Sequence, residues 1–429
     1  MKPTAASALA LLGIVSGSAR AEILLYEPTG PYHVSQTQHV FNHTTPDDFT
    51  APNGTGVGTL MLVTIYAPTL SVPNRTTPYM DATNADIWGP ALGLAPSSLS
   101  TLVTNLQHDA PHLPTTTPPL PTILFLPGAG MPCFAYTAYL TELASSGYAV
   151  VALDHPGEPP YLALPGAGIG GVKSAFPPLH DYTWAQYRQI YAHRLADAAA
   201  LLSDAYLPGL VRDRGWPFDL AAMGVFGHSI GGAAAAGVMA ASAAAAGAAR
   251  RQDPQPFSPA PDDATGSSSA TSTPVLAGGA NLDGWYFFDI GDLTGNNGTG
   301  EQQPYPDLAA AGPFLALAKE EPRAPPDATW ANFGAAQSGW LRDVGVRRAR
   351  HFDFGDFPLL VDGLLGRRRE GQGAALDVLL GGVEGARVTA VVTGFLKAFF
   401  GAVVGRTGQG GLEAVDAFQK SVGEETWGE

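Results

Sequence analysis

A serine enclosed by glycines, between an apolar strand and a small-residue helix, constrains the fold of this chain most. The predicted strand covers residues 220–226, the turn at residues 227–231 has the sequence GHSIG, and an alanine-rich helix follows to about residue 248. Such a turn holds Ser229 in a strained backbone, and its glycines let the chain approach neighbouring strands. The GHSIG turn therefore predicts a nucleophilic serine at a sheet edge; the alternative is a glycine-rich turn with an ordinary serine.

The segment before this turn predicts a parallel sheet. An apolar run at 123–126 ends in the PGAG turn (residues 127–130), a helical stretch spans about 134–145, and a second apolar run covers 148–153. A strand, a helix and a second strand joined in this way form a βαβ unit, whose strands lie parallel.

Length allows two or three small domains, and a single large α/β domain with insertions also fits. The 429 residues are 45% hydrophobic, which suffices for a core, and a further strand is expected at 275–282. Residues 67–121 are dense in Pro, Thr, Ser and Asn and are expected to form a long surface excursion. Residues 251–274 have low complexity and are expected to be a disordered insertion. We predict a single α/β domain over residues 22–429, with a mostly parallel central sheet, flanking helices and loop insertions.

Charge and the N-terminus indicate an exported protein without a nucleic-acid partner. The net charge of −15 repels phosphate backbones. Residues 1–21 combine a positive Lys2, a short apolar stretch and a small-x-small cleavage site, which predicts a signal peptide and a secreted, extracellular protein. The alternative is a buried N-terminal helix. Four N-x-S/T sequons in polar, turn-prone sequence are predicted glycosylation sites: Asn42, Asn53, Asn74 and Asn297.

Cys133 is the only cysteine, so an intrachain disulfide is excluded and the fold must depend on its core. Its place at the start of a predicted helix leaves two interpretations open, a nucleophile or a small buried apolar residue. The chain has no H-x-E or H-E-x-x-H cluster, so we expect neither a metal nor an organic cofactor.

A serine nucleophile needs a base and an acid, and their order along the chain narrows the choice. On an α/β sheet with this kind of turn, the acid and then the histidine follow the serine. His351 is the only one of ten histidines beyond Ser229, and we expect it to take the serine proton. Asp283 directly follows the strand predicted at 275–282 and is the expected acid. The alternative is that Asp283 caps the N-terminus of a helix. Asp289 and Asp292, further along, remain alternatives.

Acyl transfer to a serine also needs two backbone donors for the developing oxyanion. One is expected to be the N–H of Ile230, the residue after the nucleophile. The other is expected from residues 128–130 of the PGAG turn, where glycine lets the backbone approach a substrate. The alternative for that turn is an ordinary βα loop.

Six segments match the secreted platelet-activating factor acetylhydrolases and their fungal relatives in order and span most of the mature chain. They are residues 28–34 (PTGPYHV), 126–130 (LPGAG), 153–156 (LDHP), 227–232 (GHSIGG), 282–285 (LDGW) and 351–357 (HFDFGDF). The resemblance implies the α/β-hydrolase fold, with Ser229, Asp283 and His351 as the triad. It also implies oxyanion donors at Ala129 and Ile230.

The same resemblance implies a substrate and a reaction. The substrate would be a phospholipid with an acetyl or other short sn-2 acyl ester, cleaved without calcium through an acyl-Ser229 intermediate, with transient contact to a lipid surface. We expect a closed acyl pocket whose wall includes Phe134 and Trp285. Arg194 and Asp197 match an R-x-x-D pattern of the family and are expected to form a structural pair.

Two further functions remain open at this point. One is a general short-chain carboxylesterase or polyester hydrolase without lipid preference, because loops rather than the fold shape the substrate pockets. The loops differ from the family here, with Pro127 and Gly128 where animal members have His-Gly and with the insertion at 251–274. The other function is a catalytically silent hydrolase fold that serves as a binding module.

Overall fold

A computed structural model of the chain describes residues 21–95, 97–114, 118–252, 274–286, 305–320, 328–366, 374–405 and 411–428. The predicted signal peptide, apart from residue 21, lies outside the described residues. So do the sequon at Asn297, the alternative acids Asp289 and Asp292, and nearly all of the insertion predicted at 251–274.

The strands and helices of the described residues follow one another along the chain. The strands are β1 (Ile23–Leu24), β2 (His33–Pro46), β3 (Val57–Thr69), β4 (Thr77–Pro78), β5 (Leu102–Thr104), β6 (Gln107–His108), β7 (Leu120–Leu126), β8 (Ala149–Asp154), β9 (Tyr161–Ala163), β10 (Gly171–Lys173), β11 (Phe218–His228), β12 (Val275–Leu282), β13 (Phe314–Ala318), β14 (Leu341–Val346) and β15 (Thr426–Gly428). The helices are α1 (Ala82–Ala91), α2 (Thr137–Ser145), α3 (Trp184–Leu201), α4 (Leu207–Arg214), α5 (Ile230–Gln252), α6 (Ala328–Ala336), α7 (Phe357–Leu365), α8 (Ala374–Leu379), α9 (Gly385–Val403) and α10 (Glu413–Ser421).

Ten of the described strands form the central sheet, in the order β15-β14-β13-β12-β11-β7-β8-β3-β2-β6. The strands from β14 through β13, β12, β11 and β7 to β8 are all parallel to their neighbours. Strand β15 is antiparallel at one edge, and β3 pairs antiparallel with both β8 and β2. The predicted mostly parallel sheet flanked by helices is confirmed.

Strand β7 illustrates why the central strands read as unbroken apolar runs. Ile123 and Phe125 belong to the core cluster that includes buried residues of α9. Leu124 and Leu126, which alternate with them, belong to the cluster that includes buried residues of α5. Successive side chains of a strand point to opposite faces, so a strand covered by helices on both faces needs apolar residues throughout.

The prediction of a surface excursion at 67–121 is wrong for much of that segment. Tyr79, Trp88 and Leu102 are buried in the main core, and the Trp88 ring lies 5.6 Å from the ring of Phe357. The polar and proline residues form short turns between small elements such as α1 and β5, while the scattered apolar residues point inward. The prediction of a loop relied on the overall composition of the segment, which does not show that single apolar residues are buried.

Helix α9 is, among the described residues, the one helix long and apolar enough to cross a membrane by length and composition. Its apolar side chains Val388, Val392, Phe395 and Phe399 are all buried. They belong to the same cluster as Ile123 on the sheet. Within the described structure, α9 is therefore packed as a core helix.

Candidate active site

Ser229 lies in a sharp turn between β11 and α5. Strand β11 ends at His228 and α5 begins at Ile230, which leaves Ser229 alone between them with a φ of +55°. That left-handed conformation is uncommon for any residue other than glycine. A Cβ at Gly231 would lie 2.1 Å from the carbonyl oxygen of Leu126, so no side chain fits there. The glycine of the motif is therefore required by the contact between this turn and the end of β7.

Three side chains predicted from distant parts of the chain meet at this turn. The Oγ of Ser229 lies 3.0 Å from Nε2 of His351, and Nδ1 of His351 lies 2.6 Å from Oδ2 of Asp283. Asp283 directly follows β12 and is buried, whereas about a third of the His351 side chain is exposed. The structure thus brings Ser229, His351 and Asp283 into one hydrogen-bonded row.

The donors and acceptors in this row follow from chemistry. The carboxylate of Asp283 can only accept, so Nδ1 of His351 carries a hydrogen and donates a hydrogen bond to Asp283. In the neutral ring Nε2 is then an acceptor, and the hydroxyl of Ser229 donates to it. This tautomer can remove a proton from Ser229, as general base catalysis requires.

The two predicted oxyanion donors lie beside Ser229. Ala129, in the PGAG turn after β7, and Ile230, the first residue of α5, line the same cleft as Ser229. Their backbone N–H groups make no hydrogen bond to another described residue. Both amides can therefore donate to a negatively charged oxygen that forms next to Ser229.

The cleft around Ser229 has a volume of about 400 Å³. Its wall away from the triad is formed mainly by apolar and aromatic side chains: Met131, Leu179, His180, Tyr187, Ile230, Trp285 and Phe352. The Trp285 ring stacks on Trp184 with a centroid distance of 5.0 Å, yet 43% of Trp285 is exposed. The wall at Trp285 is therefore open to solvent and not part of the closed pocket that the sequence predicted.

Phe134, the other predicted wall residue, lies outside the lining of this cleft. It belongs to the short 3₁₀ turn Cys133–Tyr136 that precedes α2. Its ring packs edge-on against Tyr79 with a centroid distance of 6.0 Å. The prediction placed Phe134 by its closeness in sequence to the PGAG turn, but the 3₁₀ turn directs the ring towards the Tyr79 segment.

Cys133 is buried in the main core and does not line the cleft. Burial raises the pKa of its thiol well above the usual value, and the nearby carboxyl of Asp154 raises it further. A thiol is nucleophilic as the thiolate, which these surroundings disfavour. Of the two interpretations, the structure favours a small buried residue.

Arg194 and Asp197 are buried on α3, but the expectation that they pair with each other is wrong. Arg194 forms an ion pair with Glu158 at 2.8 Å. Asp197 accepts hydrogen bonds from His155 at 2.6 Å and from His43 at 3.0 Å. Burial raises the pKa of Asp197, but the bonds from His155 and His43 outweigh it and hold the pKa at about 2. Through Glu158 and His155, both residues instead tie α3 to the loop that follows β8, and His43 connects Asp197 to β2 as well.

His228, the second residue of the GHSIG turn, has buried hydrogen-bond partners that sequence reasoning missed. It is buried, its Nδ1 lies 2.8 Å from the hydroxyl of Tyr136, and its Nε2 lies 2.9 Å from the carbonyl oxygen of His351. Burial lowers the pKa of His228 well below the usual value, so the ring is neutral. The motif placed His228 next to Ser229, but only the tertiary structure identifies its partners.

The predicted glycosylation sites within the described residues lie on local polar segments. Asn42, in β2, and Asn74, in the loop after β3, are exposed, and Asn53 lies in the 3₁₀ turn Pro52–Gly54. Among the residues that the structure describes, no group of three or more His, Cys, Asp or Glu side chains could hold a metal ion.

Comparison with known proteins finds similar proteins by sequence and by structure, and no family model matches the chain. Over 290 residues, the chain is 23% identical to a probable 1-alkyl-2-acetylglycerophosphocholine esterase from Arthroderma benhamiae, a match that covers 66% of this chain and 60% of that relative. A ferulic acid esterase from Streptomyces cinnamoneus has a similar structure, with a TM-score of 0.64 and 23% identity over 95% of this chain and 99% of the other. The strand order, the serine turn and this structural likeness together show that the chain has the α/β-hydrolase fold.

Proposed function

We propose that the protein is a carboxylic ester hydrolase that acts through an acyl-Ser229 intermediate. The observation that carries this proposal is the row formed by Ser229, His351 and Asp283, with distances of 3.0 and 2.6 Å. The two relatives, both named as esterases, support the same reaction class.

In the proposed reaction, His351 takes the proton of Ser229 while the serine oxygen attacks the ester carbonyl carbon. The carbonyl oxygen becomes negatively charged and accepts hydrogen bonds from the amides of Ala129 and Ile230. The bond to the leaving alcohol then breaks, and His351 gives that alcohol its proton. Water, activated by His351 in the same way, releases the acid and restores Ser229.

The substrate we propose is a phospholipid with a short sn-2 acyl ester, as in the name of the Arthroderma benhamiae relative. A cleft of about 400 Å³ is within the range of small-molecule sites. With this substrate we propose a secreted, extracellular enzyme that makes transient contact with lipid surfaces. We further propose glycans at Asn42, Asn53, Asn74 and Asn297, in keeping with the predicted signal peptide.

A second candidate is a general carboxylesterase that also accepts aromatic acyl groups. The stacked rings of Trp184 and Trp285 favour it, because flat aromatic groups pack well against exposed tryptophan faces. The open wall at Trp285 would also admit an acyl group larger than acetyl. The name of the Streptomyces cinnamoneus neighbour, a ferulic acid esterase, is in line with such a substrate.

Labelling by a fluorophosphonate probe and a substrate panel test the proposal together. We expect the wild-type protein to be labelled and the folded Ser229→Ala variant to lose labelling and at least about 10⁴-fold in kcat. An unlabelled, inactive wild type would instead indicate a binding module. The panel compares 2-acetyl phospholipids, nitrophenyl esters of increasing acyl length and feruloyl esters. A strong preference for the acetyl phospholipid supports the first substrate, and a preference for the feruloyl ester supports the second.

A further inference from the structure

The PGAG turn has three consecutive amides with different partners. The N–H of Gly128 donates to the hydroxyl of Tyr136 at 3.2 Å, and the N–H of Gly130 donates to Oε1 of Glu158 at 2.8 Å. The N–H of Ala129, between them, makes no hydrogen bond to another described residue. The two outer amides are thus bound to buried side chains, and the middle amide is left for a ligand in the cleft.

The Glu158 side of this arrangement includes a buried ion pair. Oε1 of Glu158, the atom that accepts from Gly130, also lies 2.8 Å from Nη2 of Arg194. Glu158 and Arg194 are only 3% and 1% exposed. The same guanidinium reaches the carbonyl oxygens of Pro127 and Gly128, both at 3.4 Å. One buried pair therefore holds the turn through an amide on one side and two carbonyls on the other.

The hydroxyl of Tyr136 connects the PGAG turn to the GHSIG turn that holds Ser229 and to the loop of His351. Because the carbonyl of His351 can only accept, Nε2 of the neutral His228 ring must donate to it. Nδ1 of His228 is then an acceptor, so the hydroxyl of Tyr136 donates to His228 and accepts from Gly128. This directed row joins the loop of His351, the GHSIG turn and the PGAG turn.

An oxyanion site works only if its donors already point to where the charge develops. Gly130 has a φ of +68°, so the turn depends on a flexible residue, and its amide directions need outside support. We infer that Glu158 with Arg194, and Tyr136 with His228, are positioning residues that fix the direction of the Ala129 amide. The inference rests on the proposed ester hydrolase function, since it concerns the oxyanion of that reaction.

The first test is Glu158→Gln, which keeps the side-chain shape but removes the charge that holds Arg194. Removing an oxyanion donor outright costs about 10²–10³ in kcat, and a misdirected donor should cost about tenfold or more. We expect kcat to fall by that factor while KM changes less than about threefold. The Kd of a trifluoromethyl ketone, whose serine adduct carries an oxyanion, should rise in parallel with the fall in kcat.

Glu142→Gln is the matched control for loss of charge at a buried carboxylate that forms an ion pair. Glu142 is as buried as Glu158, pairs with Lys397 at 2.6 Å and accepts a backbone amide, that of Thr29, at 2.8 Å. At a temperature where both variants are folded, Glu142→Gln should keep wild-type kcat and inhibitor affinity. Equal values in Glu142→Gln, Glu158→Gln and the wild type would overturn the inference.

Tyr136→Phe is the second test and covers the case in which Glu158→Gln does not fold. It removes the acceptor of Gly128 and the donor to His228, and the same loss of kcat and of ketone affinity is expected. Wild-type values in folded Tyr136→Phe would count against the inference. Ser229→Ala distinguishes a failure of this inference from a failure of the proposed function. If Ser229→Ala is inactive while Glu158→Gln and Tyr136→Phe match the wild type, only the inference fails; if Ser229→Ala is active, the proposed function fails.

Discussion

Oδ1 of Asp283 accepts the backbone N–H of Lys319, the residue that follows β13, at 3.0 Å. The backbone N–H of Asp283 in turn donates to the carbonyl of Leu317 within β13 at 2.7 Å. Both the backbone and the side chain of Asp283 are therefore fixed to the neighbouring strand. This leaves Oδ2 as the oxygen that faces His351.

This arrangement predicts the effect of Asp283→Asn. The amide oxygen of the new side chain would accept from Lys319, and its NH₂ group would face Nδ1 of His351. The ring would then carry its proton on Nε2, where it could not accept from Ser229, so we expect kcat to fall by about 10⁴-fold. Steady-state hydrolysis of nitrophenyl acetate measures kcat, and circular dichroism checks that the variant is folded. A loss under tenfold, or an equal loss in Asp289→Asn, would contradict the choice of acid.

Ser229 and Asp283 could be chosen from sequence because parallel strands place their carboxyl ends at one edge of a sheet, and His351 because it is the only histidine after Ser229. A serine after one strand and an aspartate after the next along the sheet are then close, whatever the loops between them. Glu158 could not be found in this way. It lies in a Gly/Pro-rich stretch without periodicity, and its importance comes from contacts with Gly130 and Arg194 that only the tertiary structure creates.

The fold was predictable where apolar residues are continuous and not where they are scattered. Strand β12 occurs with the predicted bounds, and Asn281 is the one polar residue in its sequence VLAGGANL. Strands β13 and β14 follow the last strand assigned from sequence and were not predicted, although β13 (FLALA) is apolar throughout. Trp88 and Tyr79 are single large apolar residues in a polar segment, where burial is decided by tertiary packing rather than by local pattern.

The close approach of the GHSIG turn to β7 predicts that Gly231→Ala is severely destabilising. Its methyl group would lie 2.1 Å from the carbonyl oxygen of Leu126, a backbone atom that cannot move aside. We expect a loss of at least about 2 kcal/mol in the free energy of unfolding, together with loss of activity. Thermal unfolding measures the first and ester hydrolysis the second.

Gly401→Ala is the matched control, because Gly401 lies in α9 and a Cβ there would be 3.7 Å from the nearest atom. A helical glycine replaced by alanine should gain up to about 1 kcal/mol. If Gly231→Ala were as stable as Gly401→Ala, the steric account of the turn would be wrong.

Asp356 predicts a pH dependence of stability. Burial raises its pKa to about 7, even though the hydroxyl of Tyr79 and the amide of Ala138 donate to it. Its pKa in the unfolded chain is about 3.9, so folding takes up a proton between about pH 4 and pH 7. The contribution of this group to the free energy of unfolding therefore falls as the pH rises through that range.

Asp356→Asn cannot titrate, so the variant should gain stability relative to the wild type as the pH rises from 4 to 8. The gain should be on the order of a few kcal/mol. Chemical denaturation of both proteins at several pH values measures the difference. A difference that stays constant over this range would show that folding does not raise the pKa of Asp356.

Cys133 is predicted to be unreactive in the folded protein. Its buried thiol has a pKa well above the usual value, mainly because of burial and secondly because of Asp154, so iodoacetamide should modify it only after unfolding. Cys133→Ala should keep activity within about threefold of the wild type, whereas Ser229→Ala should be inactive. Rapid alkylation of the native protein together with loss of activity would support Cys133 as a nucleophile. Mass spectrometry before and after denaturation measures the modification.

The site described above draws on five adjacent strands of the sheet. The PGAG turn follows β7, Ser229 follows β11, Asp283 follows β12 and is fixed to β13, and the loop of His351 follows β14. If any one of these strands separates from its neighbours, the reacting groups move apart and activity is lost. Catalytic activity therefore reports whether the central strands unfold together. In increasing denaturant, inactivation and loss of the sheet should be a single event, and local openings that spare activity should be confined to the sheet edges and the outer loops.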